Sequence, residues 1–222
     1  IGVRLVGSEM CIRDSSYITK DGKEMGRAQV VQAEASGLEP EVEMNPILLK
    51  PSSMNKIQII VCGKSIGNMS GIEYNQYKKN LIPILKETYS KIEAKNDIVI
   101  IEGAGSPAEI NIKEEDISNF AMARIADAPV ILVADIDRGG VFASIYGTIM
   151  LLKEEDRKRV KGIVINKFRG NKEVLKPGFE IIENLTGVKT LGVIPYADID
   201  IEDEDSLSAV SYTHLTLPTS YS

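Results

Sequence analysis

The stretch Val130-Ile-Leu-Val-Ala-Asp135-Ile-Asp137-Arg138-Gly-Gly140 indicates the fold most directly. It starts with five apolar residues, the pattern of a strand that is covered on both faces of a parallel sheet. Two carboxylates, a guanidinium group and a pair of glycines follow. Ligands of open parallel sheets bind beyond the carboxyl ends of the strands, so this turn is a candidate contact for phosphate, metal or a substrate carboxylate. The same spacing is equally compatible with a self-neutralising, ion-paired turn.

Two other apolar runs also end in polar residues. Asp97-Ile-Val-Ile-Ile-Glu102 delivers a carboxylate that two nearby glycines follow, which is how a Walker-B-like Mg²⁺ carboxylate is presented. A strand-end acid in a surface turn is the alternative interpretation. Gly162-Ile-Val-Ile-Asn166-Lys167 places an amide and a basic group where hydrogen bonds could read a purine base.

Short β-branched runs alternate with amphipathic stretches along the chain, which predicts an α/β fold with a parallel sheet and flanking helices. The predicted strands are Ile57 to Val61, Asp97 to Ile101, Val130 to Ala134, Gly162 to Ile165 and Thr190 to Ile194. The predicted helices are Lys23 to Ser36, Ser70 toward Lys95 with a kink or break at Pro83, Ile117 to Ala126, Val141 to Lys153 and Lys172 to Thr186.

The run Cys62-Gly63-Lys64-Ser65 is similar to the second half of a phosphate-binding loop. The first glycine of such a loop would stand at position 58, where the chain has Gln58. Without that glycine the loop cannot close around phosphates. We therefore expect no phosphate loop at this position.

Composition excludes several classes of function. The 222 residues are 43% hydrophobic, enough for one sizeable core. The formal charge of −6, without a cluster of Lys and Arg, predicts no nucleic-acid partner. The apolar runs fall far short of the roughly 20 residues of a membrane-spanning helix, so we expect no membrane partner and a cytoplasmic protein. Two cysteines and one histidine argue against both a disulfide framework and protein-ligated zinc.

Four runs in order carry a family resemblance across residues 16–208. They are closely similar to the cobyric acid synthase family: Ser16-Tyr-Ile-Thr-Lys-Asp-Gly-Lys-Glu-Met-Gly-Arg-Ala-Gln-Val-Val-Gln-Ala-Glu-Ala35, Glu43-Met-Asn-Pro-Ile-Leu-Leu-Lys-Pro51, Ile101-Glu-Gly-Ala-Gly-Ser-Pro-Ala-Glu-Ile-Asn-Ile112 and Ala134-Asp-Ile-Asp-Arg-Gly-Gly-Val-Phe-Ala-Ser144. The resemblance implies a dethiobiotin-synthetase-like P-loop fold. It also implies amidation of peripheral carboxylates of a corrinoid, adenosylcobyrinic acid a,c-diamide, with ATP, Mg²⁺ and ammonia from a C-terminal glutaminase domain.

The resemblance also suggests a role for each polar strand end. Glu102 would bind Mg²⁺, and the turn after Ala134 would contact phosphate or the substrate carboxylate. The implied site residues are Asp135, Asp137 and Arg138 for catalysis, Asn166, Lys167, Pro195 and Tyr196 for the nucleotide base, and Glu102 for the metal.

The two ends of the chain resemble translated sequencing-adaptor read-through rather than the family. We expect residues 1–15 and 209–222 to be non-native tails that flank a partial amidoligase domain at 16–208, although ordinary flexible tails are the alternative. On this expectation the P-loop fold lacks its first strand and its phosphate loop, and the piece alone would bind ATP poorly. The functional alternatives are a sibling ligase, such as cobyrinic acid a,c-diamide synthase or dethiobiotin synthetase, and a non-catalytic nucleotide-binding module.

Overall fold

The structure is a computed structural model that describes residues 2–6, 9–10, 16–52, 56–108, 116–137 and 139–198. The chain divides between Glu102 and Gly103 into two compact units. Among the helices of these described residues, none combines the length and the hydropathy that crossing a membrane requires.

The main sheet of the first unit is mostly antiparallel. Its strand order is β2-β5-β6-β7, in which β6 is antiparallel to both β5 and β7, and β2 is parallel to β5. The strands are β2 (Glu9–Met10), β5 (Ile47–Pro51), β6 (Lys56–Val61) and β7 (Lys64–Ser70). The strand predicted at Ile57 to Val61 is therefore present as β6. Its assignment to a parallel sheet was wrong, because β6 pairs antiparallel with both β5 and β7.

The connection between β6 and β7 explains the sequence that resembles half a phosphate loop. Cys62 and Gly63 have φ values of 45° and 76°, as a two-residue hairpin turn with positive φ at both positions requires. A side chain at Gly63 would also collide with Lys23, since its Cβ would lie 2.4 Å from the Lys23 Cβ. Lys64 and Ser65 belong to β7. The structure thus has a hairpin at this position, in agreement with the rejection of a phosphate loop.

A small hairpin precedes the first helix. It is formed by β3 (Ser16–Ile18) and β4 (Glu24–Gly26), and α1 (Arg27–Ala35) follows it. The helix therefore starts four residues later than predicted, because the residues before Arg27 pair with β3. It ends as predicted before Gly37, which has the left-handed φ of 71°.

The predicted helix after Ser70 is present with the predicted break. Ser70 and Glu73 form a capping box, in which each side chain accepts a hydrogen bond from the other residue's backbone N–H. Helix α2 (Gly71–Tyr77) passes through a 3₁₀ turn into α3 (Ile82–Glu93). Pro83 lies in the first turn of α3, where its missing N–H removes no helical hydrogen bond.

The first unit also contains the strand that carries Glu102. This strand, β8 (Ile98–Glu102), pairs in parallel with β1 (Gly2–Val6). Strand β1 lies within residues 1–15, the stretch that we predicted to be a non-native tail. The second predicted tail, residues 209–222, lies outside the described residues.

The second unit contains the parallel sheet that the sequence predicted. Its strand order is β11-β10-β9, and both pairs are parallel. The strands are β9 (Val130–Asp135), β10 (Val160–Phe168) and β11 (Thr190–Pro195), and the helices are α4 (Phe120–Ile125), α5 (Val141–Leu151), α6 (Glu154–Arg157) and α7 (Lys176–Thr186). The α/β fold class with flanking helices is confirmed.

The hydrophobic core of the second unit lies on one face of this sheet. Ile163 and Ile165 of β10 are fully buried and belong to one cluster with Ile145 and Ile149 of α5 and Ile182 of α7. Alternate residues point to the other face. Three apolar side chains on that face are more than half exposed: Ile131, Val133 and Leu191.

A partly buried ion pair in the first unit should make its stability depend on pH. Lys50 Nζ donates to Glu24 Oε1 at 2.6 Å and to Ser16 Oγ at 3.1 Å. Burial alone would raise the pKa of Glu24, but the hydrogen bonds with Lys50 and Ser16 outweigh burial and hold the pKa below its ordinary value. The unfolded chain therefore binds this proton more readily than the folded chain.

We expect the Glu24 contribution to the free energy of unfolding to be present at neutral pH and to disappear as pH falls through the lowered pKa. Glu24→Gln should remove that part of the pH dependence, measured by urea unfolding between about pH 7 and about pH 3. Glu39→Gln is the control, because Glu39 forms an exposed pair with Lys20 that contributes little. Identical pH profiles for the wild type and Glu24→Gln would contradict the prediction.

Candidate functional site

The carboxyl ends of β9, β10 and β11 meet at one edge of the parallel sheet. Asp135 ends β9 and pairs in register with Asn166 of β10, while Phe168 pairs with Pro195 at the end of β11. The predicted site residues at this edge are Asp135, Asp137, Asn166, Lys167, Pro195 and Tyr196. The sequence assigned these residues to three separate runs, and the parallel register brings them together.

A β-bulge at the end of β10 sets the direction of Asn166 and Lys167. Ile165 pairs with Val193 and Phe168 with Pro195, so two residues of β10 stand opposite one residue of β11. Lys167 has a φ of 62°, a conformation that costs a non-glycine residue about 1–3 kcal/mol and is concentrated at functional sites. The Oδ1 atom of Asn166 accepts a hydrogen bond from the Lys167 N–H at 2.9 Å.

Two ion pairs connect the ends of β9 and β10. Lys167 Nζ lies 2.9 Å from Asp135 Oδ2, and Arg169 Nε lies 3.5 Å from Asp137 Oδ1. Asp135 also accepts a hydrogen bond from the Asp137 N–H at 2.8 Å. The turn is thus ion-paired, with partners from β10 and the residues that follow it. Both pairs are largely exposed, so each adds at most about 1 kcal/mol to stability and mainly orients the side chains.

The rest of this turn leads into α5. Gly139 and Gly140 have φ values of 76° and 68°, and the Gly140 carbonyl accepts the hydrogen bond from the Ser144 N–H. The partial positive charge of the helix N-terminus therefore lies next to the acidic turn. Arg138, the third predicted catalytic residue, lies outside the described residues.

Arg169 is the residue of this edge that the sequence analysis did not assign to a role. Its guanidinium carbon lies 3.3 Å from the centre of the Tyr196 ring, and the Tyr196 N–H donates to the Phe168 carbonyl at 2.8 Å. One signal for Arg169 was available in the sequence. Asp135 and Asp137 stand two positions apart at the end of one apolar run, and Lys167 and Arg169 have the same spacing at the end of the next.

Glu102, the predicted metal ligand, ends β8 in the first unit and is exposed. Among the described residues, no group of three or more His, Cys, Asp or Glu is placed to hold a metal ion. Mg²⁺ does not require such a group, because it usually binds one or two carboxylates together with substrate phosphates and waters. A single exposed carboxylate at a strand end fits that chemistry.

The loop after Glu102 is held in place by Asn119, which precedes α4 in the second unit. Asn119 Nδ2 donates to the Ala104 carbonyl at 2.9 Å. A Cβ atom on Gly103 would lie 2.0 Å from Asn119 Oδ1, so a larger residue at this position would require Asn119 or the loop to shift. Asn119 is itself positioned by Asp116, whose Oδ1 accepts hydrogen bonds from the Ser118 and Asn119 N–H groups. Asn119 was not among the predicted site residues.

A parallel α/β sheet with polar groups at the carboxyl ends of its strands is an architecture that binds ligands at that edge, and P-loop NTPases, which bind nucleotides, are one class that has it. The family described as an AAA domain matches residues 22–202, and the chain belongs to this family.

Several relatives that match most of this chain carry the name cobyric acid synthase. The protein from Streptococcus sanguinis is 59% identical over 196 residues, which cover 88% of this chain and 39% of the relative. The relative from Alkaliphilus metalliredigens is 59% identical over 194 residues, 87% of this chain and 39% of the relative. The protein from Listeria innocua is 57% identical over 194 residues, with 87% and 38% coverage. The resemblance in the four sequence runs is therefore confirmed, and the chain spans about two fifths of the length of these relatives.

The close contact between Gly103 and Asn119 leads to a prediction. Gly103→Ala should displace Asn119 or the loop and lower the free energy of unfolding by about 1–3 kcal/mol, the usual effect of overpacking. The chain has no tryptophan, so circular dichroism in urea is a suitable measurement. Gly147→Ala is the matched control, because nothing lies within 4 Å of its added Cβ. Equal effects of the two substitutions would refute the close contact.

Proposed function

We propose that this chain is the ATP-dependent amidating segment of a cobyric acid synthase. Within the longer protein it would amidate peripheral carboxylates of adenosylcobyrinic acid a,c-diamide with ATP and glutamine. The observation that carries this proposal is the 59% identity to a relative of that name over 88% of the chain. The name of the matched relatives favours this function over the sibling ligases and the non-catalytic nucleotide-binding module.

The chemistry of amidation explains why a nucleotide-binding fold is needed. A carboxylate is a poor electrophile, so an oxygen of the substrate carboxylate first takes the γ-phosphoryl group of ATP, and ADP leaves. Ammonia then attacks the carbonyl carbon of the acyl phosphate, and phosphate leaves with the C–O electron pair as an amide C–N bond forms. The proton that the nitrogen loses is taken up by the released phosphate. Positive charge near the transferred phosphoryl group lowers the barrier of the first step.

In this proposal Glu102 holds Mg²⁺ as a strand-end carboxylate. The bound ion would neutralise charge on the phosphates. Gly105, three residues after the carboxylate, leaves room for a phosphate to approach the backbone, because nothing lies within 4 Å of the Cβ that another residue would carry there. The hydrogen bond from Asn119 to Ala104 supports the role by fixing the loop that directly follows Glu102.

The nucleotide base is assigned to the bulged end of β10 and to the end of β11. Asn166 carries both a donor and an acceptor, which suits the edge of a purine. Lys167 lies beside it at the bulge, and Pro195 and Tyr196 would border the base from the neighbouring strand. The register that aligns Phe168 with Pro195 supports this assignment, because it keeps the two strand ends adjacent.

The acidic turn after β9 is assigned to catalysis. Asp135, Asp137 and Arg138 would contact the phosphates or the carboxylate to be amidated, with Arg138 as the guanidinium that neutralises the anion. The ion pair between Asp135 and Lys167 fits such a role, because an anionic ligand can take over a lysine that a carboxylate holds loosely. The N-terminus of α5 adds favourable potential for an anion at the same turn.

The proposal includes the setting of the whole protein. Ammonia would come from a glutaminase domain in the C-terminal part of the longer protein, and the corrinoid would be the small-molecule partner. We propose a cytoplasmic location, where ATP and glutamine are both available.

The test uses the full-length protein that contains this segment. We expect it to amidate adenosylcobyrinic acid a,c-diamide in the presence of ATP and glutamine, and Glu102→Gln should lower kcat/KM by about 100-fold or more. Glu87→Gln is the control, because Glu87 forms an exposed pair with Lys91 on α3. No amidation by a folded wild-type protein would overturn the function. Full activity of Glu102→Gln would overturn the metal assignment alone.

A further inference from the structure

Arg169 contacts both neighbours of its strand end. It follows β10, its Nε lies 3.5 Å from Asp137 Oδ1 beyond β9, and its guanidinium carbon lies 3.3 Å from the ring centre of Tyr196 beyond β11. Its side chain thus links the proposed catalytic turn to the proposed base site. The proposed function assigns no role to this residue.

The stacking contact restricts how Tyr196 can act. A guanidinium group over a ring at this distance covers one face of the ring and is attracted to it electrostatically. The planar group also limits the tilt of the ring, which a flexible ammonium group would not do. With one face covered, Tyr196 can offer a base only its other face or its edge.

The backbone reinforces the same arrangement. The Tyr196 N–H donates to the Phe168 carbonyl at 2.8 Å, directly before Arg169. Arg169 and Tyr196 are therefore held at adjacent strand ends by the main chain as well as by the side-chain stack. Asp137 Oδ1 also contacts the guanidinium group, 3.5 Å from its Nε.

We propose that Arg169 is a positioning residue for the nucleobase. Its guanidinium group holds the Tyr196 ring in the orientation in which the ring, Pro195 and Asn166 enclose the base. Its ion pair with Asp137 joins the same guanidinium group to the proposed catalytic turn. This inference rests on the proposed nucleotide site. It predicts that replacing Arg169 weakens the binding of the nucleobase and leaves the binding of the phosphates unchanged.

The experiment compares two ligands on the full-length protein that contains this segment. Dissociation constants for MgATP and for magnesium tripolyphosphate, which has no base, are measured by calorimetry. Base stacking on an aromatic side chain accounts for about 10-fold or more in affinity. Arg169→Ala should therefore weaken ATP binding about 10-fold and leave tripolyphosphate binding within about two-fold.

A second variant distinguishes the effect of the planar guanidinium group from the effect of its positive charge. Arg169→Lys keeps the charge and can keep the pair with Asp137, but it loses the planar stack, so it should resemble Arg169→Ala. Arg159→Ala is the matched control, because Arg159 pairs with Asp127 at the other end of the strands. Its ATP affinity should equal that of the wild type.

Each outcome decides a different claim. Unchanged ATP affinity in Arg169→Ala, or equal losses for ATP and tripolyphosphate, would overturn the role of Arg169, as would full rescue by lysine. A wild-type protein that binds ATP no more tightly than tripolyphosphate would instead overturn the base site of the proposed function.

Discussion

The position of β10 between β9 and β11 is the constraint on which the candidate site depends. Ile163 and Ile165 are buried against the helices, which fixes the face of the sheet that these side chains occupy. A register shift of one residue would turn both isoleucines to the opposite face. The bulge then changes the alternation after Ile165. As a result Asn166 and Lys167 leave the regular strand pattern at the edge where the neighbouring strands end.

Charge at this edge is balanced between neighbouring strands. The two carboxylates after β9 meet the two basic side chains at the end of β10, and each pair is exposed enough to exchange partners. Each basic side chain therefore lies beside one carboxylate that holds it only weakly. In the proposed function, an anionic ligand would find Lys167 already oriented by Asp135.

The sequence predicted the parallel half of the fold better than the antiparallel half. Continuous apolar runs located β9, β10 and β11, although the core of this unit lies on one face of the sheet and Ile131, Val133 and Leu191 on the other face are more than half exposed. The same pattern at Ile57 to Val61 could not reveal the direction of its partners. Strand β7 was missed because it is mostly exposed and has no alternating apolar pattern. The polar edge was predicted residue by residue, whereas the stack of Arg169 on Tyr196 depends on the bulge and on the register between strands.

Gly139 and Gly140 show how backbone handedness limits what sequence comparison can reveal about function. Both residues adopt left-handed φ values, and no atom lies within 4 Å of the Cβ that either would carry as an alanine. Space around them is ample, so the backbone angles alone select glycine here. Any other residue would be strained at these backbone angles whether or not the turn binds a ligand. Their persistence across a family would therefore record the shape of the turn before α5 and would give no information about catalysis.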